Sequence, residues 1–206
     1  MENRQKLFTS EFSRIIYCQP ESLAHRPNIA FNRLQKAFGA TELVNGLPDI
    51  SKLNLDLNQL PCLLIIDDQM NALLDSKSFV DLLCVKCHHF QICTIFTLQN
   101  YFASSKFGRT ISRNDNYKVF FFNRVDLREI KNISMQSSPS SPDFMQSNFN
   151  FLFEKFPNDP SHYIIVDGHY RSKMRVMYVR SRIFPNENNV IEPIFFSRIQ
   201  TIKSEY

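Results

Sequence analysis

The sequence is poor in glycine and contains no long apolar run. Its four glycines are Gly39, Gly46, Gly108 and Gly168, and no segment reads Gly-x-x-x-x-Gly-Lys-Ser/Thr. A glycine-rich loop that cradles phosphates with backbone N–H groups is therefore excluded. No stretch reaches the roughly 18 to 20 apolar residues of a membrane span, and residues 1–6 do not begin a signal peptide. We expect an intracellular protein, in the cytoplasm or nucleus, that is not secreted and has no membrane partner.

Charge and length set few limits on function. Lys and Arg number 24 against 20 Asp and Glu, a formal net charge of +4. This mild excess permits a nucleic-acid partner without requiring one. Because 43% of the 206 residues are hydrophobic, the chain can bury one substantial core, and we predict a single domain over residues 1–206.

The five cysteines include a motif that could hold a metal. Cys84-Val-Lys-Cys87-His88 matches the pattern for c-type haem attachment, and His89 and Cys93 could extend it to a zinc cluster. Haem attachment needs an exported, oxidising context, and structural zinc sites usually combine two well-separated pairs of ligands. We therefore predict packed thiols in a reducing compartment and no metal bound by Cys or His.

Hydrophobic patterning in the first half of the chain predicts an α/β fold. Residues 14–18, 62–66 and 92–98 are short apolar runs of the kind that form buried parallel strands. Apolar residues at helical spacing over 76–88 join the last two runs as a βαβ crossover, and residues 28–38 predict another helix. The expected architecture is a mostly parallel sheet with flanking helices.

The second half predicts elements that complete the same sheet. Residues 117–122 read as a further strand, and the Ser- and Pro-rich stretch 134–147 as a flexible loop. Apolar and polar residues alternate in residues 163–166 and 175–179, on either side of an Asp-Gly turn signal. This pattern predicts a C-terminal antiparallel hairpin at the sheet edge.

Two acidic residues follow the most apolar strand. Asp67 and Asp68 after residues 62–66 have the Walker B arrangement, in which one carboxylate holds the water shell of Mg²⁺ and the other polarises the attacking water. Gln99 ends the next strand, and its amide could sense a γ-phosphate at the same sheet edge. The alternatives remain open: the acids could cap a turn or helix, and Gln99 could simply end a strand.

Cationic residues accumulate after this strand. They are Lys106, Arg109, Arg113, Arg124 and Arg128. A cation offered from a mobile loop beside Gly108 could stabilise phosphoryl-transfer charge in a neighbouring subunit, or contact DNA phosphates. A solvated basic surface is the alternative interpretation.

Several of these stretches, in order, resemble a known family. The chain looks like the region downstream of the P-loop in DNA-packaging ATPases of the FtsK/HerA superfamily, from large DNA viruses and virus-like Polinton or adintovirus elements. The segment Leu63-Leu-Ile-Ile-Asp-Asp-Gln-Met70 carries much of the resemblance. The other matching stretches are residues 12–18, 44–49, 88–100, 109–112, 117–124 and 182–185.

The resemblance implies a P-loop NTPase fold of the RecA/ASCE-like type that lacks the N-terminal Walker A strand, loop and helix. It implies catalytic roles for Asp67, Asp68 and Gln99, and an arginine-finger role for Arg109 across a homo-oligomeric ring. The full-length form would bind ATP and Mg²⁺, with Asp67 holding the magnesium ion through water. This chain would be an N-terminally truncated piece of that form. Two departures matter: the Walker A lysine is missing, and Asp68 stands where many members have Glu.

Two functional hypotheses follow, with a third of lower rank. The first is a subunit of an ATP-driven translocase of double-stranded DNA, with Lys106, Arg113, Arg124 and Arg128 on DNA phosphates. The second is a non-enzymatic relic, or a domain co-opted to bind nucleic acid or protein. The third is a nucleic-acid-binding domain unrelated to ATPases. Without a P-loop, we expect this chain alone not to hydrolyse ATP.

Overall fold

The chain divides into two compact units. The computed structural model describes residues 11–39, 41–48, 61–101, 104–122, 127–137, 141–158, 162–168, 178–181 and 194–195. One unit is Met1–Asn114 and the other Asp115–Tyr206, where the sequence predicts a single domain. The physical reason is that each unit builds its own four-stranded sheet, one parallel and one antiparallel.

The first unit contains a parallel sheet of strands β1 (Arg14–Gln19), β2 (Thr41–Asn45), β3 (Cys62–Ile66) and β4 (Ile92–Phe96). Their order is β2-β1-β3-β4, and all three pairings are parallel. The predicted α/β unit with a parallel sheet and flanking helices is confirmed here. Strand β2 was not predicted, because its exposed polar residues hide its short apolar pattern.

Helices α1 (Ile29–Phe38), α2 (Met70–Leu74), α3 (Lys77–Asp81), α4 (Cys87–His89) and α5 (Gly108–Asn114) belong to this unit. A π-helical turn, Leu82–Lys86, joins α3 to α4. The buried core contains side chains from the sheet and from these helices, among them Ile16, Leu64, Ile66, Leu73, Phe79, Leu82 and Ile111. The Phe79 ring packs edge-on against Phe96, with centroids 5.4 Å apart. Apolar burial of this kind is the main force that holds helices on a sheet.

The second unit contains an antiparallel sheet in the order β5 (Tyr117–Phe121), β6 (Tyr163–Asp167), β7 (Tyr178–Ser181) and β8 (Ile194–Phe195). The predicted antiparallel pair is present as β6 and β7, although residues 175–177 lie outside the described residues. Its predicted place at the edge of the parallel sheet is wrong. Strand β5 pairs antiparallel with β6, Tyr117 opposite Asp167, so these strands form a sheet of their own.

Two helices occupy most of the stretch predicted to be a flexible loop. Helix α6 (Leu127–Ser137) and helix α7 (Phe144–Lys155) include residues 134–137 and 144–147, while residues 138–140 lie outside the described part of the chain. Ser134 is fully buried, and its hydroxyl accepts a hydrogen bond from the Met145 backbone N–H at 2.9 Å. A local serine-rich composition was therefore overridden by packing between two helices.

Candidate functional site

The carboxyl ends of the parallel strands bring the predicted polar residues to one edge of the sheet. Strands β3 and β4 are neighbours, with Ile66 in register with Phe96. Asp67 and Asp68 follow β3 directly, and Gln99 lies three residues beyond β4. Ligand sites in open parallel sheets form at this edge. The predicted proximity of the two acids and the amide is confirmed, while their catalytic roles stay predictions.

Asp68 is held by the residues that follow β4. Its carboxylate Oδ1 accepts a hydrogen bond from Gln99 Nε2 at 2.6 Å. Its backbone N–H donates to Thr97 Oγ1 at 2.8 Å. The backbone of Asp68 lies in the left-handed region, with φ of 50°, and the side chain is exposed. The loop after β3 therefore turns sharply and presents this carboxylate to solvent.

Asp67 is held from both sides. Tyr17 on β1 donates its hydroxyl to Asp67 Oδ2 at 2.5 Å, and Thr97 donates its own to Oδ1 at 3.1 Å. Tyr17 is only 3% exposed. Burial, together with the hydrogen bond to Asp67, raises the pKa of Tyr17 to about 12. The hydroxyl is thus a donor at neutral pH, and it fixes the orientation of the Asp67 carboxylate.

Tyr17 and Thr97 are site residues that the sequence did not reveal. Tyr17 belongs to an apolar strand and was interpreted only as core. It reaches Asp67 because β1 lies beside β3, with Tyr17 in register with Ile65. No local pattern specifies that neighbour. Thr97 follows β4 as Asp67 follows β3, so counting from the strand ends would have placed the two together.

A cavity of about 660 Å³ opens beside these residues, at the carboxyl ends of all four strands. It is lined by Pro20, Glu21, Gly46, Leu47, Asp68, Gln69, Met70, Asn71, Ala72 and Gln99. Gly46 has φ of 81°, and a Cβ built there would lie 2.9 Å from Glu21 Oε1. Glycine therefore permits both the turn after β2 and the close approach of the Glu21 side chain.

Hydrogen bonds around the buried amide of Gln19 join the strand ends that form this cavity. Gln19 Nε2 donates to Asn45 Oδ1 at 2.8 Å, which joins the ends of β1 and β2. Asn28 Nδ2 donates to Gln19 Oε1 at 2.7 Å, and Asn28 Oδ1 accepts from the Phe31 N–H as the cap of α1. Satisfied buried networks of this kind restrict local motion. The cavity wall at β1 and β2 is accordingly well defined.

The basic residues do not join this group. Arg109 and Arg113 lie on α5 and Lys106 precedes it, all three exposed. Among the described residues, no hydrogen bond or ion pair links any of them to Asp67, Asp68 or Gln99. The mobile loop expected around Gly108 is a helix that begins at Gly108. Arg128 is exposed on α6 of the second unit, and Arg124 lies outside the described residues.

The cysteines that match the haem-attachment pattern, and Cys93 after them, are free thiols. Cys84 and Cys87 are half-buried, and the Cys87 thiol lies 3.3 Å from Thr94 Oγ1. Burial raises the pKa of Cys87 and of Cys93, which disfavours their thiolates. Within the described ranges, no three Asp, Glu, His or Cys side chains converge as a metal site would require.

The site fits the two components of Mg²⁺–ATP unequally. Carboxylate oxygens such as those of Asp67 and Asp68 suit a hydrated magnesium ion. A triphosphate needs cations or a cradle of backbone N–H groups, and neither Lys nor Arg lines the cavity. The described residues therefore do not fit a triphosphate, and no step of ATP hydrolysis can be assigned to them alone.

Comparison with protein-family models, curated proteins and solved structures gives no match for this chain. Among the described helices, none has both the length and the apolar character that crossing a bilayer requires.

Proposed function

We propose that the first unit is an ATPase-like domain of the viral DNA-packaging kind, P-loop NTPase in type and ancestrally an ATP-driven DNA translocase. One observation carries the proposal: Gln99 donates to Asp68 at the carboxyl ends of neighbouring parallel strands. An acid beside a polar amide, one crossover apart, is the arrangement that such enzymes use to orient an attacking water near the γ-phosphate.

The two acids take different roles in this proposal. Asp67 is held by Tyr17 and Thr97, and a fixed carboxylate suits the water shell of a magnesium ion. Asp68 is exposed and its carboxylate contacts Gln99. That exposure favours Asp68 as the group that would polarise water, with Gln99 as its orienting partner.

Hydrolysis requires components that this chain does not supply. The sequence contains no Walker A lysine, and the cavity has no cationic lining. The exposed Arg109 is available to a second subunit, which favours its role as a finger across a ring. Double-stranded DNA would be the partner of the basic residues. The same missing lysine favours the second candidate, a non-enzymatic relic or binding module.

A paramagnetic ion tests whether the acids hold a divalent cation. Mn²⁺ added to the ¹⁵N-labelled chain should broaden the amide signals of residues 67–69 and 97–99 before others. Asp67→Asn should reduce that local broadening. Asp81→Asn removes the same charge from an exposed position on α3 and should leave the broadening unchanged.

One outcome contradicts the proposal and another contradicts its alternative. Broadening that is uniform along the chain, or that persists in Asp67→Asn with Asp68→Asn, would remove the divalent-cation role of the acids and contradict the proposal. Micromolar binding of a fluorescent ATP analogue with magnesium by this chain alone would contradict the second candidate, the non-enzymatic relic.

A further inference from the structure

Strand β5 ends the antiparallel sheet of the second unit with an exposed apolar edge. Its alternate side chains Tyr117, Val119 and Phe121 are 56%, 42% and 67% exposed. Among the described strands, only β6 pairs with β5, so the other side of β5 is an edge of the sheet. An exposed apolar edge can accept a further strand through its backbone groups.

The backbone of β5 offers hydrogen-bonding groups along this edge. The carbonyl oxygen of Asn116 accepts from the N–H of Gly168, just beyond β6, at 2.8 Å. Antiparallel strands bond to a given neighbour through every second residue, so the even-numbered residues of β5 bond to β6. The N–H and C=O groups of Val119 and Phe121 therefore face outward, and within the described ranges they have no hydrogen-bond partner.

The features that usually protect a sheet edge are missing from β5. The strand contains no Pro and no Gly, and its register with β6 is continuous, without a bulge. Its one charged residue, Lys118, has a side chain that is 15% exposed and forms an ion pair with Asp115 at 2.5 Å. Uncompensated charge therefore does not oppose the addition of a strand here.

A second copy of β5 fits this edge symmetrically. Antiparallel pairing centred on Val119 places the two Val119 residues opposite each other, and Tyr117 of each copy opposite Phe121 of the other. Such aromatic and β-branched cross-strand pairs stabilise sheets. Lys118 then lies opposite Phe120, whereas a shift by two residues would place the two Lys118 side chains opposite each other. Repulsion between like charges therefore favours the register centred on Val119.

We infer that two copies of this chain associate through β5, antiparallel and about a two-fold axis, so that two four-stranded sheets become one continuous sheet. The dissociation constant should be on the order of 100 μM, because a five-residue edge buries less area than a standard interface. The inference is independent of the proposed function, since β5 belongs to the second unit and the acids to the first.

Sedimentation velocity and amide exchange of the full chain test the inference together. Across the micromolar to millimolar range, the chain should show a reversible monomer–dimer equilibrium. The amides of Val119 and Phe121 should become protected as the dimer forms, whereas those of Lys118 and Phe120, which already face β6, should not change. A chain that stays monomeric overturns the inference and leaves the edge to a strand of different sequence. Dimers without protection of the outward amides overturn it as well.

A charge swap at the two-fold axis tests the register. Val119→Lys places two ammonium groups opposite each other and should weaken association at least about tenfold, and Val119→Glu should do the same. An equal mixture of the two variants should associate again, because opposite charges then face each other. Val85→Lys makes the same change at a position of the first unit that is 50% exposed, and should associate as the unaltered chain does. No recovery in the mixture, or equal weakening by Val85→Lys, contradicts the inference.

Val119→Pro provides a second variant that does not depend on charge. It removes an outward N–H that makes no bond to β6, and edge strands tolerate proline at such positions. Circular dichroism should therefore show an intact fold while association is lost, and a variant that still dimerises overturns the inference. Val119→Pro should leave the Mn²⁺ broadening around Asp67 unchanged, and Asp67→Asn should leave association unchanged, so either idea can fail while the other survives.

Discussion

Tyr17 shows how a single core residue can fix the orientation of a site residue. Its ring lies within the apolar first unit, 6.4 Å from the Phe31 ring between centroids. Its hydroxyl reaches the carboxylate of Asp67 on the neighbouring strand. A buried tyrosine hydroxyl needs a partner, and Asp67 needs a donor that remains protonated. Each residue therefore stabilises the other, and both should respond when either is changed.

Tyr17→Phe removes this hydrogen bond and leaves the ring in place. We expect a loss of about 1.5–3 kcal/mol in the free energy of unfolding at neutral pH, the range for hydrogen bonds to charged groups. Urea unfolding followed by circular dichroism measures it. The Asp67 amide signal should also shift in the variant.

The pH dependence of the same variant provides a second measurement. The pKa of Tyr17 is raised from its ordinary value of 10.0 to about 12 in the folded chain, so folding favours the protonated phenol. This stabilisation is complete below the unfolded pKa and is lost as the pH rises through the folded pKa. The difference between wild type and Tyr17→Phe should therefore shrink above pH 10. A difference that stays constant up to pH 12 would contradict the assignment.

Local sequence predicted the acids and the amide but not their partners. Asp67 and Asp68 directly follow β3 and Gln99 lies three residues beyond β4, and consecutive parallel strands joined by one crossover place their ends together. Tyr17 is different, because its position depends on β1 lying beside β3 although β2 comes between them in the chain. That order is a tertiary property, and no local pattern of apolar residues encodes it.

At the scale of elements, hydrophobic patterning predicted most strands of the first unit correctly. Composition was a poorer guide to loops. Apolar runs of five to seven residues predicted β1, β3 and β4 correctly because parallel strands are buried. The prediction of a loop in the serine-rich stretch was wrong for its helical residues, because α6 and α7 pack against each other around the buried Ser134. Strand β5 was recognised as a strand, but its pairing partner β6 lies more than 40 residues away along the chain, and only long-range packing selects it.

Helix α5 and Lys106, two residues before it, form a basic segment of the first unit. Arg109 and Arg113 are four residues apart and share one helix face. If this segment binds double-stranded DNA, Arg109→Ala with Arg113→Ala should weaken binding and lower the salt slope of the affinity by about 1 per lost phosphate contact. Fluorescence anisotropy at several salt concentrations measures both quantities.

Arg33→Ala on α1 is the matched control for that experiment, because Arg33 is also exposed on a helix of the same unit. It should change neither the affinity nor the salt slope. Equal losses from Arg33 and from the α5 arginines would indicate attraction by net charge alone, and an unchanged slope in the double variant would exclude α5 from the DNA-binding surface.

At the scale of the whole molecule, the division into two units was not apparent from composition. Domain boundaries usually carry flexible, Pro- or Gly-rich linkers. Here α5 ends at Asn114 and β5 begins at Tyr117, so the boundary is only two residues long. The Ser- and Pro-rich stretch 134–147, which the sequence predicts to be a flexible loop, lies inside the second unit.

Because each unit has its own core, a cavity-forming substitution in one core should destabilise that unit and leave the other largely unchanged. Phe79 is fully buried in the first unit, and Phe79→Ala should cost about 3–5 kcal/mol there. Hydrogen exchange followed by mass spectrometry should show faster exchange in strands β1, β3 and β4 with little change in β6 and α7. Phe149→Ala, which leaves a cavity in the core of the second unit, should give the reverse pattern. Equal loss of protection in both units after either substitution would mean that they unfold together.

The left-handed backbone at Asp68 has a consequence for which acid can occupy that position. Residues other than glycine adopt this conformation at a cost, and aspartate and asparagine tolerate it best because their short side chains can bond locally. A glutamate, longer by one methylene, would adopt the same turn at a greater cost in backbone free energy. The shape of the turn after β3 thus favours the shorter acid at position 68.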